Sequence, residues 1–414
     1  MSIRPANKKW RIAYVADSLP PIIKTSSNRN FAFLKELAKE YSLHVFTLAD
    51  AETLKQSIHS SSTDDLVIHT IPQSPNGWSR ISWIKYLVRF TGLDHVNAAY
   101  LHRMSSEFEQ LKFDLLIVTA GPFNRLWVGE VISQRFKLPW CVDYRDEWTS
   151  EGSVRVKSGG TFVTRFLDLF THSEKSVELI LTSTISAFSS VHPQSVKHIG
   201  SWIHKKGFVI ENGYFKNTFI ANNYNLPTNQ SIRLAYWGYV HYSQNLPEHL
   251  DTLVTVASQH QLAVSIDFYG CLPQAFQALQ KATEKSEYVT CNLIKPVSID
   301  QLFAEVILYD ALIHSEYQEY PHIPSSKLYD YIATGLPVVL FNNLGGYISE
   351  VLKKTNQRID FDSFEFVQFL SSSEFRIQFR KNIKDDERLK YSREEQMVNV
   401  HQMIQFALKT QQQS

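Results

Sequence analysis

The sequence has few cysteines and lacks a long hydrophobic run. Its three cysteines, Cys141, Cys271 and Cys291, lie far apart without paired spacing, so we expect a reducing compartment and predict neither a disulfide framework nor a zinc site. Since no stretch of about 18 apolar residues occurs, we predict no membrane-spanning helix. The segment Met1 to Pro5 leads into charged residues without the apolar stretch of a signal peptide. We therefore expect a cytoplasmic protein.

Neither sign of charge is in clear excess. The chain has 42 Lys and Arg residues against 41 Asp and Glu residues, a net charge of +1. Because nucleic-acid-binding domains are usually strongly basic, we predict no nucleic-acid partner. Hydrophobic residues make up 43% of the 414 residues and charged residues 20%, as in ordinary globular proteins. The length exceeds what one hydrophobic core usually supports, and it predicts two domains.

Short β-branched runs alternate with one-faced apolar segments, which predicts an α/β fold with parallel sheets. The clearest predicted strands are Arg11 to Ala16, Leu115 to Thr119, Arg233 to Trp237 and Val264 to Tyr269. A loop from Asp17 to Arg29 precedes a predicted helix from Asn30 to Lys39. The polar stretch Asn217 to Ser231 is the predicted connector. We predict Rossmann-like domains at 1–214 and 215–390, and a C-terminal helix at 391–414 whose pattern fits a return to the first domain.

The segment Tyr320 to Leu340 is the most informative part of the sequence. An Ile-Pro-Ser-Ser turn opens a predicted helix from Lys327 to Ala333, which Thr334 to Pro337 closes before a buried strand. This order places Ser325, Ser326 and Lys327 at a helix N-terminus, where free amide groups and the helix dipole favour an anion. The pattern therefore predicts a phosphate site.

Six segments, taken in this order, resemble family-four-type glycosyltransferases of the GT-B architecture, and the likeness covers nearly the whole chain. They are Ser18 to Pro21 with the following loop and Arg29; Thr119 to Pro122; Leu138 to Trp148; Val209 to Tyr214; Tyr236 to Gly238; and Tyr320 to Leu340. The resemblance implies two Rossmann-like domains that face each other across a cleft. It also implies transfer of a sugar from a nucleoside-diphosphate donor, usually with retention of configuration and without a metal.

The resemblance also implies the positions of the donor contacts. Asp330 matches the second carboxylate of a Glu-seven-residues-Glu motif, which holds the ribose hydroxyls. The other implied donor contacts are Gly238, Tyr239, Lys295, Val297, Ile323, Pro324, Ser325, Ser326 and Lys327. As catalytic residues we predict Asp146, His322, Lys327 and Asp330. The expected partners are a nucleotide sugar, with a UDP-sugar slightly favoured, and a glycan or lipid-linked acceptor on the first domain, and we expect neither a metal nor a cofactor.

The sequence departs from the family pattern at three places. His322 stands where the motif has its first carboxylate, and Glu316 and Glu319 are the candidates to replace it. Gln244 and Asn245 follow Gly238 where the family often has a basic residue for the diphosphate. Lys24 to Ser27 replaces a glycine pair. The function predicted first is an active glycosyltransferase in cell-surface polysaccharide biosynthesis. Because of these departures, two alternatives stay open: a catalytically weak or inactive relative that acts as a binding subunit, and a nucleotide-sugar epimerase.

Several of these residues also have a purely structural interpretation. Lys327 and Asp330 could form a charge pair on an exposed helix face. The segment Asp143 to Asp146 could form a buried ion-pair network instead of letting Asp146 orient an acceptor hydroxyl, and Arg145 fits either role.

The segment Trp78 to Phe90 combines apolar residues at helical spacing with Arg80, Lys85 and Arg89. Such a helix can lie on an anionic membrane, which would suit a lipid-linked acceptor and a peripheral location at the inner face of the membrane. The alternative is a helix packed on the first domain with its basic side chains extended into solvent.

Overall fold

The computed structural model describes residues 9–20, 25–57, 65–72, 94–148, 175–221, 231–240, 244–361 and 363–413. The predicted membrane-binding segment 78–90 and most of the helix predicted near 161–181 lie outside these ranges. None of the helices within them is long and apolar enough to cross a membrane.

The chain forms two compact units, one of Met1–Glu211 with Gln396–Ser414 and the other of Asn212–Glu395. The first segment of the first unit ends at Glu211. The connector predicted from the sequence, Asn217 to Ser231, lies after this boundary. The last helix, Arg393–Gln413, contributes Met397, Val400 and Met403 to a core of the first unit.

The first unit contains a seven-stranded parallel sheet in the order β3-β2-β1-β4-β5-β6-β7. Its strands are β1 Arg11–Val15, β2 Ser42–Thr47, β3 Leu66–Thr70, β4 Leu115–Thr119, β5 Trp140–Tyr144, β6 Ala187–Ser190 and β7 Lys206–Val209. Its helices are Thr25–Glu40, Ala51–Ser57, His95–Gln110, Arg125–Phe136, Pro193–Ile203 and Arg393–Gln413, with a further helical segment at 175–182. Two apolar cores flank the sheet.

The second unit contains a six-stranded parallel sheet in the order β10-β9-β8-β11-β12-β13. Its strands are β8 Ile232–Trp237, β9 Val264–Tyr269, β10 Val289–Ile294, β11 Ala311–His314, β12 Val338–Leu340 and β13 Arg358–Asp360. Its helices are Leu246–His260, Pro273–Thr283, Ile299–Glu305, Ser326–Thr334, Tyr347–Lys354, Phe364–Ser371, Ser373–Lys381 and Asp385–Leu389, with short 3-10 turns at Lys216–Thr218 and Val306–Leu308. Two apolar cores again cover its faces.

Each sheet has one point where the direction of strand addition reverses. In the first unit this point lies between β1 and β4, and in the second unit between β8 and β11. Open α/β sheets bind ligands at such points, beyond the carboxyl ends of the strands. The segments after β8 and β11 are therefore the expected position of a ligand site in the second unit.

The first helix begins at Thr25, so the predicted loop from Asp17 to Arg29 is too long. Arg29 lies on this helix with 2% of its surface exposed, and its guanidinium donates to both carboxylate oxygens of Asp143, at 3.0 and 2.7 Å. It also donates to the carbonyl oxygen of Ile210 at 2.7 Å. The polar residues around Arg29 led to the prediction of a loop, because the sequence does not show that Arg29 pairs with the buried Asp143.

The ion pairs of the segment Asp143 to Asp146 differ from the predicted buried network. Asp143 is buried and pairs with Arg29, while a hydroxyl donor, Ser189, supplies a further hydrogen bond at 2.7 Å. Arg145 instead donates to its neighbour Asp146 at 2.9 Å, and the Asp146 side chain is 63% exposed. Asp143 therefore belongs to a buried ion pair with Arg29, whereas the pair of Arg145 and Asp146 is partly exposed.

We expect Asp143→Asn to lower the free energy of unfolding by about 3 kcal/mol, because it leaves the buried Arg29 guanidinium without its counter-charge. Urea denaturation followed by tryptophan fluorescence measures the change. Asp146→Asn is the matched control three positions along the chain, where loss of an exposed pair should cost less than about 1 kcal/mol. Equal stability of the two variants would contradict a structural role for the Arg29 pair.

Candidate functional site

The segments that follow β8 and β11 bring several predicted donor residues together. Gly238 and Tyr239 come directly after β8, and the segment from Ser315 to Ser325 joins β11 to the helix Ser326–Thr334. Since β8 and β11 are neighbours at the reversal point, both segments lie at the same edge of the sheet. This is the edge where an open α/β sheet binds its ligand.

Lys327 is a charged group at this edge that two hydrogen bonds hold in place. Its ammonium nitrogen donates to the Tyr236 hydroxyl at 2.8 Å and to the Tyr239 carbonyl oxygen at 2.6 Å. The same nitrogen lies 4.8 Å from the centre of the Tyr236 ring. An ammonium group carries three protons, so these two hydrogen bonds leave one proton for a ligand.

The environment of Lys327 weakens its hold on the proton. Burial lowers the pKa of Lys327 from 10.5 to about 8, and the thiol of Cys271 acts weakly in the opposite direction. The group is therefore mainly charged at neutral pH and loses its charge in the mildly alkaline range.

Gly238 lies beside Lys327 and has a backbone conformation that favours glycine. Its φ angle is +89°, a backbone conformation that residues with a Cβ rarely adopt. A Cβ at this position would also lie 2.9 Å from Cε of Lys327. The space next to this glycine is thus filled by the lysine side chain, and Gly238 allows the segment after β8 to close over it.

The helix Ser326–Thr334 begins without a side-chain cap. Ser325 occupies the N-cap position in an extended conformation, but its hydroxyl caps no amide. Its oxygen instead lies 2.7 Å from Nε2 of His314, and both residues are buried. The first turn therefore keeps the positive end of the helix dipole and the amide donors of Ser326 and Lys327.

Gln244 has a structural role that the sequence did not reveal. Its side chain is fully buried, accepts from the Tyr236 hydroxyl at 3.0 Å and donates to the Ser315 carbonyl oxygen at 3.1 Å. The Ser315 hydroxyl returns a hydrogen bond to the Gln244 carbonyl oxygen at 2.8 Å. Gln244 thus fixes the tyrosine that holds Lys327. No sequence pattern signals these roles of Tyr236, Gln244 and His314, because the atoms they contact belong to other segments of the chain.

Asp330 lies one helical turn after Lys327, yet the two side chains form no ion pair among the described residues. No described residue donates a hydrogen bond to the Asp330 carboxylate. Burial raises its pKa from 3.8 to about 6, and the positive charge of Arg393 opposes this shift. The interpretation of Lys327 and Asp330 as a charge pair on an exposed face is therefore wrong. A half-buried carboxylate of this kind is suited to accept hydrogen bonds from ligand hydroxyls.

Glu316 does not replace the missing first carboxylate of the motif. It is fully buried, and its carboxylate accepts from the amides of Leu344 and Gly346, at 2.8 and 3.0 Å, and from that of Ser349 at 2.8 Å. Both oxygens are therefore used to hold the start of the helix Tyr347–Lys354. Glu319, the other candidate, is an exposed residue of the same loop.

The remaining predicted residues occupy varied positions. His322 and Ile323 are half-buried, Pro324 is buried, and Ser326 is exposed. Lys295 is exposed, whereas Val297 packs against a core of the second unit. Tyr239 contributes its carbonyl oxygen to Lys327, while its side chain is 56% exposed. Asp146 belongs to the first unit. The structure thus brings together Gly238, Tyr239, Ser325, Ser326 and Lys327.

Known structures resemble the chain over almost its whole length. A glycosyltransferase from Rickettsia africae ESF-5 has a TM-score of 0.63 at 11% identity, covering 96% of this chain and 98% of that one. TarM has a TM-score of 0.60 at 9% identity, covering 97% of this chain and 99% of that one. The catalytic domain of starch synthase IV from Arabidopsis thaliana, bound to ADP and acarbose, has a TM-score of 0.59 at 9% identity. The match covers 97% of this chain and 100% of that one. No protein-family model and no curated protein sequence matches the chain.

Identities of this size establish the fold alone. The predicted α/β class, with two Rossmann-like parallel sheets of the GT-B type, is confirmed.

Glu316→Gln should loosen the segment 343–349, because an amide group replaces one acceptor oxygen and leaves at least one backbone N–H without a partner. A hydrogen bond to a charged group is worth about 1.5–3 kcal/mol, so amide hydrogen exchange there should become roughly 10 to 100 times faster. Mass spectrometry after deuterium labelling measures the rate, with Glu319→Gln as the exposed control. Unchanged exchange in Glu316→Gln would show that the carboxylate does not hold this segment.

Proposed function

We propose that this protein is a glycosyltransferase that moves a sugar from a nucleoside-diphosphate donor to a glycan or glycolipid acceptor. The observation that carries the proposal is the uncapped start of the helix Ser326–Thr334 beside the Lys327 ammonium group. Both features lie at the reversal point of a parallel sheet, and both favour the same ligand, an anion such as a diphosphate.

The reaction places its main electrostatic demand on the leaving group. When the bond between the sugar and the diphosphate breaks, negative charge develops on the diphosphate oxygens. Amide donors of a helix start and a fixed ammonium group stabilise such charge without reorganising, and this lowers the barrier. Asp330 has the chemistry to bind ribose hydroxyls, which would fix the nucleotide and orient the sugar.

The similar structures support this proposal at the level of the fold. One of them, starch synthase IV, binds ADP and acarbose, a nucleoside diphosphate and a carbohydrate. Retention of configuration, independence from metals, preference for a UDP-sugar and a role in cell-surface polysaccharide synthesis rest on the family resemblance alone. The same holds for an acceptor on the first domain, whereas peripheral membrane contact through 78–90 rests on the spacing of the apolar and basic residues in that segment.

One observation favours a second candidate, a nucleotide-binding relative with little or no turnover. The motif position of the first carboxylate holds His322, and Glu316 is committed to backbone amides. If the exposed Glu319 does not supply a carboxylate for the sugar either, the donor binds while transfer stays slow. Incubation with a panel of nucleotide sugars separates the candidates, since hydrolysis or transfer indicates an enzyme and binding without product indicates a binding protein.

Calorimetry with uridine, guanosine, adenosine and thymidine diphosphates tests the site directly. We expect at least one to bind, and Asp330→Asn to weaken that binding roughly tenfold or more, because charged hydrogen bonds to ribose are lost. Asp251→Asn, on an exposed position of the helix Leu246–His260, is the control and should bind as the wild type does. Failure of every nucleotide to bind would remove the proposed function.

The affinity for the nucleoside diphosphate should fall as the pH rises from 7.5 to 9.5. Above pH 7.5 the terminal phosphate, with a pKa near about 6, is already fully charged, as is Asp330. Lys327, with a pKa of about 8, then loses the proton that attracts the ligand. We expect a decrease of roughly tenfold, measured by calorimetry.

Lys327→Met is the control for this pH dependence. It should bind weakly and with the same affinity across the pH range, because it has no proton to lose at this position. A wild-type affinity that stays constant to pH 9.5 would exclude Lys327 as the charged contact.

A further inference from the structure

His314 is held in a single protonation state. The amide N–H of Ser315 donates to Nδ1 of His314 at 2.7 Å. The Ser315 carbonyl oxygen also lies 3.1 Å from Nδ1, but the amide is closer and a backbone amide always carries its proton. We therefore assign Nδ1 as the acceptor and place the ring proton on Nε2. His314 is fully buried, and burial, with the positive charge of Lys327, lowers its pKa to about 3. The ring is therefore neutral at physiological pH, with Nε2–H as its donor.

This tautomer fixes the direction of the hydrogen bond to Ser325. Nε2 of His314 lies 2.7 Å from Oγ of Ser325, so the imidazole donates and the hydroxyl accepts. The hydroxyl has only one proton of its own, and that proton cannot point back at a donor. It must point away from His314.

The same contact explains why the helix starts without a cap. A serine at the N-cap normally turns its oxygen to an amide of the first turn, which satisfies one of the free donors. In this protein Ser325 has the N-cap position and an extended backbone, but its oxygen faces His314 instead. His314 is the last residue of β11 and has no exposed surface, so it holds Ser325 from a rigid position.

We propose that His314 is a positioning residue for the nucleotide diphosphate: it keeps the Ser325 oxygen off the helix start and presents the Ser325 proton as a donor to the phosphate. The inference rests on the proposed function, because the diphosphate is the ligand of that site. Three kinds of donor then converge on the anion, namely the Ser325 hydroxyl, the first amides of the helix and the Lys327 ammonium group. In this arrangement His314 acts through Ser325.

The test compares Ser325→Ala, His314→Leu, His314→Gln and the double variant His314→Leu/Ser325→Ala. The probe is the nucleoside diphosphate that the wild type binds most tightly, measured by calorimetry. Ser325→Ala removes the hydroxyl donor. His314→Leu removes the imidazole donor and frees Ser325 to cap the helix, whereas the glutamine amide can donate from nearly the same place as Nε2.

We expect Ser325→Ala and His314→Leu each to weaken binding about tenfold, the range of one hydrogen bond to a charged group. His314→Gln should recover most of the affinity. The double variant should bind no more weakly than Ser325→Ala alone, because His314 acts through the hydroxyl that is already absent. Circular dichroism and thermal unfolding identify any variant that does not fold, and the comparison then uses the remaining ones.

Two results would overturn the inference while leaving the proposed function intact. One is unchanged affinity in Ser325→Ala, and the other is an additive loss in the double variant with no recovery in His314→Gln, which would indicate a general packing role for His314. Absence of nucleotide binding in the wild type would instead remove the proposed function, and the inference with it.

Discussion

The ammonium group of Lys327, held between the Tyr236 hydroxyl and the Tyr239 carbonyl oxygen, is the contact on which the candidate site depends. A partly buried charge needs such partners, because loss of hydration otherwise disfavours it. Gly238 leaves room for its side chain. Gln244 accepts a hydrogen bond from the Tyr236 hydroxyl, which in turn accepts one from the ammonium group. The result is a cation that is fixed in place before any ligand arrives.

Two helix starts in the second unit use their free amides in opposite ways. At the start of Tyr347–Lys354, the carboxylate of Glu316 accepts from three backbone amides. At the start of Ser326–Thr334, the N-cap hydroxyl is drawn to His314 and the amides stay available. One helix start is therefore neutralised by an anion from the chain, whereas the other keeps its amide donors. This difference supports the proposal that the diphosphate binds at the start of Ser326–Thr334.

Sequence periodicity was sufficient for the α/β class and for most elements. The helix predicted from Lys327 to Ala333 differs from the observed Ser326–Thr334 by one residue at each end, and Gly335 ends it in a left-handed conformation. The error at the first helix has a clear cause. Arg29 and its neighbours are polar, and polar residues indicate a loop unless a buried partner is known. That partner, Asp143, lies 114 positions away along the chain.

Local spacing was enough to predict the alternation of strands and helices, the turn that opens the helix Ser326–Thr334 and the presence of Lys327 in its first turn. The roles of Tyr236, Gln244, His314 and Glu316 became visible only in the folded chain. Their hydrogen bonds join different segments of the chain, and a carboxylate that binds amides looks the same in a sequence as one that binds a sugar. Burial and partner atoms, which exist only in the folded chain, separate the two.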